Sequence, residues 1–445
     1  MTIQLNDIFI KLTQSFPDYN KRTIYIAFSG GLDSSTILHI FYKLKKQKLI
    51  HNLKAIHVNH NLQKNSASWE DNCASICSQF GIDLIVEHIK LESETNIEAN
   101  ARDLRYKCFA KHLEKNDILI LAHHQQDQAE TFLLHTFKGS GLKGLCSIPK
   151  IRKLEAGHAY RPLLNINREH ITAYAKENNL TWINDHSNTD TKFNRNYIRH
   201  KVLETITPRW PAAVNCIART IQHCNQAQAL ITEFIQPILN ERTRLNTNIL
   251  SIIGFHNMSA QLQDHIILSW LDLCAVPKPN SNKISEVRRN IVLAKQDKQP
   301  AIYWDKYCIR RYQKHLYLLK NLAEITTYDI EIDWNISENE TLILPRNLGE
   351  LTIKTDCKNG IDPKYLKNVV VSFKQTGQRC QPTGRIGSHP IKKLFQEWKI
   401  PPWERHKIPI IKHKNNIISI ANHCICHNVP THKNGIMFAY KPTFK

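Results

Sequence analysis

Arg22-Thr23-Ile24-Tyr25-Ile26-Ala27-Phe28-Ser29-Gly30-Gly31-Leu32-Asp33-Ser34 joins an apolar run to two glycines and an Asp-Ser pair. Its first seven residues are rich in β-branched and aromatic side chains and predict a strand. Beyond the glycines, Ile37, Leu38, Phe41 and Leu44 fall at helical spacing, so residues 34–45 predict a helix. A strand that turns through glycines into a helix is the layout of a phosphate-binding loop. Glycines let the backbone approach an anion, and the free N–H groups and dipole of a helix N-terminus favour negative charge. Ser29 and Ser34 add hydroxyl donors, whereas Asp33 repels phosphate unless a cation such as Mg²⁺ lies between them. The loop lacks the Gly-Lys-Ser/Thr ending of a Walker motif. A glycine turn with an Asp/Ser helix cap is the structural alternative.

Outward from this stretch, residues 53–58, 82–89 and 117–122 predict three further strands separated by helical segments. That alternation implies a doubly wound α/β fold, a parallel sheet with helices on both faces, whose ligands bind beyond the carboxyl ends of the strands. Past Pro208, strand alternation gives way to helical periodicity (Ile217, Ile221, Ile231, Phe234, Leu239), and strand-like pieces return from Ile302 onward. The expected domains are residues 1–210, a catalytic α/β unit; 211–330, mainly helical; and 331–445, a small α+β unit.

The 445 residues exceed what one core usually organises, and 42% hydrophobic content is enough to build several. Sixty Lys+Arg against 39 Asp+Glu give a formal charge of +21, which suits a polyanionic partner such as nucleic acid. The N-terminal residues lack a secretory pattern, and no apolar run approaches the roughly 20 residues of a membrane span. A cytoplasmic protein with no membrane association is expected. Twelve cysteines scattered between Cys73 and Cys426 are too dispersed for a disulfide framework and should be mostly reduced.

Four more motifs follow the loop in order. His57-Val58-Asn59-His60-Asn61-Leu62 ends the second strand, and Asn96-Ile97-Glu98-Ala99-Asn100-Ala101-Arg102-Asp103-Leu104-Arg105-Tyr106 precedes the fourth. Ala122-His123-His124-Gln125-Gln126-Asp127-Gln128-Ala129-Glu130-Thr131 comes after it. Asp185-His186-Ser187-Asn188-Thr189-Asp190 then leads to Arg195-Asn196-Tyr197-Ile198-Arg199. Read bottom-up, Asp127 and Glu130 make a capping-box pair with Asp at the cap, or else hold Mg²⁺ and orient a reactant. Arg102 and Arg105 share a helix face that meets phosphate or merely solvent. His57, Asn59 and His60 are candidates for the nucleotide site or a simple strand end.

Together the five motifs resemble the tRNA(Ile)-lysidine synthases, a family of PP-loop ATP pyrophosphatases with an adenine nucleotide alpha hydrolase-like fold, over essentially the whole chain. The resemblance implies ATP as co-substrate with Mg²⁺, free L-lysine, and the isoleucine tRNA with a CAU anticodon as partner; a homodimer is left open. ATP would adenylate the C2 oxygen of the wobble cytidine, and lysine would displace AMP to leave lysidine. Asp33, Asp127 and Glu130 become the catalytic candidates, with Asp33 and Asp127 as Mg²⁺ ligands. Ser29, Gly30, Gly31, Leu32, Asp33, Ser34, His57, Asn59 and His60 become the nucleotide contacts. Arg102, Arg105, Lys138, Asp185, Asn188, Asp190, Arg195, Arg199, Lys392, Lys393 and Arg405 become substrate or tRNA contacts. The alternatives are another PP-loop tRNA-modifying enzyme, such as a thiolation enzyme, or an RNA-binding protein with a vestigial loop.

Two motifs point away from function. Gly139-Ser140-Gly141-Leu142-Lys143-Gly144 fits GxGxxG but follows a helical run, whereas a dinucleotide fingerprint must leave a strand. In His423-Cys424-Ile425-Cys426-His427, strand geometry puts the cysteines on one face and the histidines on the other, which does not close a tetrahedral zinc site. Neither structural zinc nor an iron–sulfur cluster is expected.

Overall fold

A computed structural model of the chain describes residues 3–59, 66–89, 97–184, 189–243, 246–292, 300–320, 330–337, 339–366, 368–427 and 429–442. It divides into two compact units, Met1–Phe234 and Ile235–Lys445.

In the first unit, β1 (Ile24–Ala27), β2 (Leu53–Asn59), β3 (Asp83–His88), β4 (Ile118–Ile120), β5 (Ile151–Leu154) and β6 (Gly157–Tyr160) form one sheet in the order β3-β2-β1-β4-β6-β5. All neighbours are parallel except the β5–β6 hairpin, which closes one edge antiparallel. That hairpin is not legible in the periodicity, because Ile151-Arg152-Lys153-Leu154 is short and mostly charged or exposed. β4 is buried along its length and β1 except at Ala27, as the apolar runs require of central strands. The helix α1 (Leu32–Lys46) follows β1 and buries Ile37, Leu38, Ile40, Phe41 and Leu44. The chain runs from β1 outward through β2 and β3, then returns to place β4 on the other side of β1. The carboxyl ends of β1 and β4 therefore flank a topological switch point, where such sheets open a crevice.

Helices Ala213–Arg242 and Ala260–Leu273 account for the helical periodicity beyond Pro208, the first crossing the boundary between units. The strand-like pieces near residues 302–319 join Ile249–Ser251 in a four-stranded antiparallel sheet. Beyond them stand two five-stranded sheets. Val371, Ile410 and Ile420 from one and Leu351, Ile361 and Phe438 from the other share a core with Leu394 and Phe395 of helix Ile391–Glu397. Gly360 and Gly435 cross where a Cβ on either would lie within 2.5 Å of the other's backbone, so no larger residue fits.

Among the described residues no helix is long and apolar enough to cross a membrane.

Candidate active site

The loop after β1 has the predicted build. Gly30 takes φ +78°, and a Cβ there would meet Cys73 Sγ at 2.9 Å. Its carbonyl accepts from the Ile183 amide at 2.9 Å. Gly31 is extended (φ −78°) and has room, since a Cβ would meet nothing nearer than 3.7 Å. The Ser34 hydroxyl closes the loop on itself, donating to the Gly31 carbonyl at 3.0 Å and accepting from the Ser29 amide at 3.3 Å. Ser29 and Ser34 hydroxyls lie 3.0 Å apart. Leu32 opens α1, and Asp33 lies in its first turn with Oδ1 buried and without a hydrogen-bond partner. A buried, unpaired carboxylate oxygen is costly and calls for a cation or donor that none of the described residues provides.

The segment after β4 stands against Asp33. Helix α2 (Gln125–Phe137) begins with His124 as its cap: His124 Nδ1 accepts from the Gln126 amide at 3.2 Å, and Asp127 Oδ2 accepts from the His124 amide at 2.8 Å. This corrects the expected capping box, because the helix starts earlier and Asp127 is the third helical residue rather than the cap. With Nδ1 accepting, the ring proton sits on Nε2, which lies 3.6 Å from both Asp33 Oδ2 and Asp127 Oδ2. Burial disfavours charge on His124, but Asp33 and Asp127 outweigh it and hold its pKa above the ordinary value. His123 beside it is kept neutral by burial, its pKa lowered to about 3.

Asp127 and Glu130 are joined to the later arginines across more than sixty residues of chain. Arg195 Nη2 donates to Asp127 Oδ1 at 2.6 Å, and Arg195 Nε donates to Glu130 Oε2 at 2.8 Å. Arg199 donates twice to Glu130, from Nε at 2.6 Å and from Nη2 at 3.1 Å. Arg195 lies on the short helix α3 (Asn194–Tyr197), and Arg199 lies in the π-helical turn Ile198–Leu203 that continues it. Four residues apart, they present both guanidiniums on one face. Glu130 is completely buried and accepts from both arginines, which it anchors. Asp127 likewise spends both oxygens inside the protein, on the His124 amide and on Arg195. The carboxylate oxygen without a hydrogen-bond partner belongs to Asp33.

His57 and Asn59 end β2 beside the loop. His57 Nδ1 donates to the Phe28 carbonyl at 2.9 Å, which leaves Nε2 as an acceptor, and Asn59 donates to Glu70 at 3.0 Å. Arg102 packs over the Tyr106 ring at 5.4 Å, and Arg152 packs over the same ring at 5.6 Å. The buried Arg161 donates to the Tyr106 hydroxyl at 3.0 Å. Burial would raise the Tyr106 phenol, but Arg161 and Arg102 overcome it and hold its pKa below the ordinary value. Arg105 feels repulsion from Arg102 and Arg195, so positive charge extends from this group to the Glu130 network.

Several expected contacts lie elsewhere. His60, Asp185 and Asn188 fall outside the described residues. Asp190 shapes the turn before α3, accepting from the Lys192 amide at 3.0 Å and, through its carbonyl, from Asn196 at 2.9 Å. Lys138 caps the far end of α2, about 16 Å along the helix from Asp127. The GxGxxG run follows α2 and leaves no strand, as its sequence context implies. Lys392 and Lys393 are exposed on helix Ile391–Glu397 of the second unit. Arg405 is corrected: it is buried, with Nε turned to the Ile400 carbonyl at 2.9 Å. Sequence reasoning passed over His124, Tyr106, Arg152 and Arg161. Only His124 carried a signal, as a histidine following a predicted central strand at the crevice.

This chain matches the family model described as the PP-loop domain over residues 4–206. It also matches the TilS substrate binding domain over 250–317 and the TilS substrate C-terminal domain over 369–438. It is 36% identical over 406 residues to a tRNA(Ile)-lysidine synthase of Coxiella burnetii, covering 90% of this chain and 89% of that one. A tRNA(Ile)-lysidine synthase of Histophilus somni strain 2336 is 33% identical, covering 92% and 97%. The chain belongs to the tRNA(Ile)-lysidine synthase family. Members are ligases that form a carbon–nitrogen bond, and the PP-loop domain implies ATP use. Among solved structures, a U34-tRNA thiolase of Methanococcus maripaludis has a TM-score of 0.40 and 16% identity, covering 49% of this chain and 78% of that one.

Proposed function

We propose that this lysidine synthase family member joins free lysine to C2 of the wobble cytidine in the CAU-anticodon tRNA(Ile), through an adenylated cytidine, with AMP and pyrophosphate as products. The observation that carries the reading is the unpaired, buried Asp33 Oδ1 in the first helical turn after the glycine loop. Lysidine would change codon reading from AUG to AUA and aminoacylation from methionine to isoleucine.

The amide groups of residues 30–34 and the Ser29 and Ser34 hydroxyls hold the phosphates of ATP at the helix N-terminus. His57 Nε2, left as an acceptor, faces the remaining task of binding the adenine amino group. Mg²⁺ fits Asp33, whose Oδ1 lacks any other partner, and would offset charge developing on the phosphoryl oxygens. The cytidine O2 attacks the α-phosphorus, the bond to the β-phosphate oxygen breaks, and pyrophosphate leaves. The lysine ε-amine, neutral when it reacts, then attacks C2; the C2–O bond breaks, AMP carries off the electron pair, and the amine sheds its proton. Asp127 and Glu130 act one step back. They hold Arg195 and Arg199 in fixed positions, and the arginine group around Tyr106 gives the polyanionic tRNA an attractive approach.

A thiolation enzyme would need a reactive thiol or sulfur carrier near this loop. Cys73 and Cys77 are buried, and burial pushes both thiols up to about 12, so they are protonated and inert at neutral pH. The test is incubation with ATP, labelled lysine and the CAU-anticodon tRNA. Label should enter that tRNA, with AMP and pyrophosphate formed in equal amounts. Failure of label to enter tRNA that does bind would overturn the reading.

A further inference from the structure

Three cysteines converge in the second unit, far along the sequence from Asp33. Cys380 belongs to the two-residue strand Arg379–Cys380, and Cys424 to the strand Cys424–Ile425. Their sulfurs lie 3.9 Å apart. Cys426, two residues on and therefore on the same strand face as Cys424, makes thiol contacts with both. All three are reduced; Cys380 and Cys426 are buried, and Cys424 is half-buried.

The backbone around them is thin. Arg379–Cys380 pairs with His389–Pro390 to form a hairpin, and Pro382 makes a single antiparallel bridge to Cys426. Two further bonds, from the Thr383 amide to Ile425 and from the His427 amide to Gln381, complete the junction. The hairpin tip carries Gly384 and Gly387 at positive φ and a nearly fully exposed Ile386. A covalent link here would pin the first leg of that hairpin to the Cys424–Cys426 segment.

Among the described residues no group of His, Cys, Asp or Glu is placed to hold a metal ion. Nor do the thiols look like ordinary core packing, because an isolated buried thiol is protonated and inert. Here the S–H groups of Cys380 and Cys426 stabilise negative charge on Cys424, whose pKa is drawn down to about 4. The same sharing pushes Cys380 upward and Cys426 up to about 12. A half-buried cysteine with two buried thiols against its sulfur, one of them 3.9 Å away on another strand, is the arrangement of an attacking and a resolving cysteine.

We propose that Cys424 and Cys380 are a peroxide-sensitive dithiol that closes reversibly into a disulfide pinning the hairpin's first leg to the Cys424–Ile425 strand, with Cys426 positioning Cys424. The Cys424 thiolate attacks one oxygen of hydrogen peroxide; an S–O bond forms, the O–O bond breaks, and the departing hydroxide is protonated to water. Cys380 then loses its proton and attacks the Cys424 sulfur. The S–S bond forms as the S–O bond breaks, and a second water leaves. The two sulfurs together lose two electrons to the peroxide. Closing from 3.9 Å to a bonded distance near 2 Å requires side-chain rotation of about 2 Å and no strand separation. Cys380 is the resolving partner because it lies on a different strand, so the bond ties two segments together.

The experiment is graded hydrogen peroxide treatment of the full-length chain, alkylation, and non-reducing peptide mapping, with dithiothreitol reversal as the final step. The expected result is a Cys380–Cys424 linked peptide, loss of two free thiols and two hydrogens of mass, and full recovery on reduction. Cys424→Ser and Cys380→Ser should each abolish the link, whereas Cys426→Ser should keep it and slow its formation several-fold. Trypsin cleavage after Arg385 in the hairpin tip should slow several-fold on oxidation, which reads the pinning of the hairpin independently of mass. A link confined to Cys424 and Cys426, or three thiols still alkylated after peroxide, would overturn the proposal, as would oxidation that dithiothreitol does not reverse.

Discussion

The glycine loop and the start of α2 face each other across His124, yet they handle charge in opposite ways. In the loop, Asp33 keeps a buried oxygen with no partner, while the Ser29 and Ser34 hydroxyls close the loop on itself. In α2, Asp127 and Glu130 are saturated by two arginines and a backbone amide. The first region is an unmet demand for a cation, and the second is a closed ionic lattice. A site that must bind a charged reactant needs the unmet demand; the lattice beside it fixes where the reactant sits.

Removing the charge on each side separates these roles. Asp33→Asn should lower ATP-dependent pyrophosphate release by about 10³-fold while leaving stability and tRNA affinity near wild type. Release kinetics beside a tRNA binding isotherm check this, and near-wild-type release would reduce Asp33 to a helix cap. Glu130→Gln should act first on the fold. It leaves Arg195 and Arg199 undercompensated around a fully buried group, costing about 3 kcal/mol. Denaturant unfolding measures that loss, and an unchanged midpoint would contradict the lattice reading.

The two glycines sharpen the contrast on a smaller scale. Gly30→Ala combines positive φ with a 2.9 Å approach to Cys73 and should cost about 1–3 kcal/mol of stability. Gly31→Ala fits the fold, so its effect should appear as a raised KM for ATP with unfolding unchanged.

The smallest effect is with pH. His123 is kept neutral down to about 3, so below about pH 6.5 the unfolded chain gains a proton that the folded chain refuses, and stability falls as pH drops from 6.5 toward 3. Asp127 is buried, which opposes its charge, but His124 and Arg195 prevail and depress its pKa. Its contribution is present above about pH 4 and is lost below. His123→Asn should flatten the upper part of a melting-temperature profile and leave the lower part; an unaltered profile would reject the assignment.

The local half of this site was legible because its chemistry is local. Strand, glycines, Asp33 and helix lie within about twenty residues and obey a period and a turn rule that any reader of the sequence can apply. The ion lattice was only half legible. Asp127 and Glu130 read as a helix cap, and nothing in their spacing reveals that Arg195 and Arg199 meet them from elsewhere in the chain. His124 displaced Asp127 from the cap by using its ring as an acceptor, a choice that depends on Asp33 lying opposite. Arg405 failed for a similar reason: a basic residue beside tryptophans reads as RNA-facing, but the fold turns it inward to a carbonyl. The β5–β6 hairpin escaped because its charged residues lie on an exposed edge, where alternation carries little signal.

On the proposed function, the Asp33 site should activate the tRNA base before any amine is needed. Rapid-quench analysis of enzyme, ATP, Mg²⁺ and CAU-anticodon tRNA without lysine tests it most directly. The account predicts a burst of pyrophosphate, matched by adenylated tRNA, with AMP appearing only when lysine is added. Pyrophosphate released from ATP and lysine in the absence of tRNA would contradict it, because the amino acid and not the cytidine would then be the group adenylated.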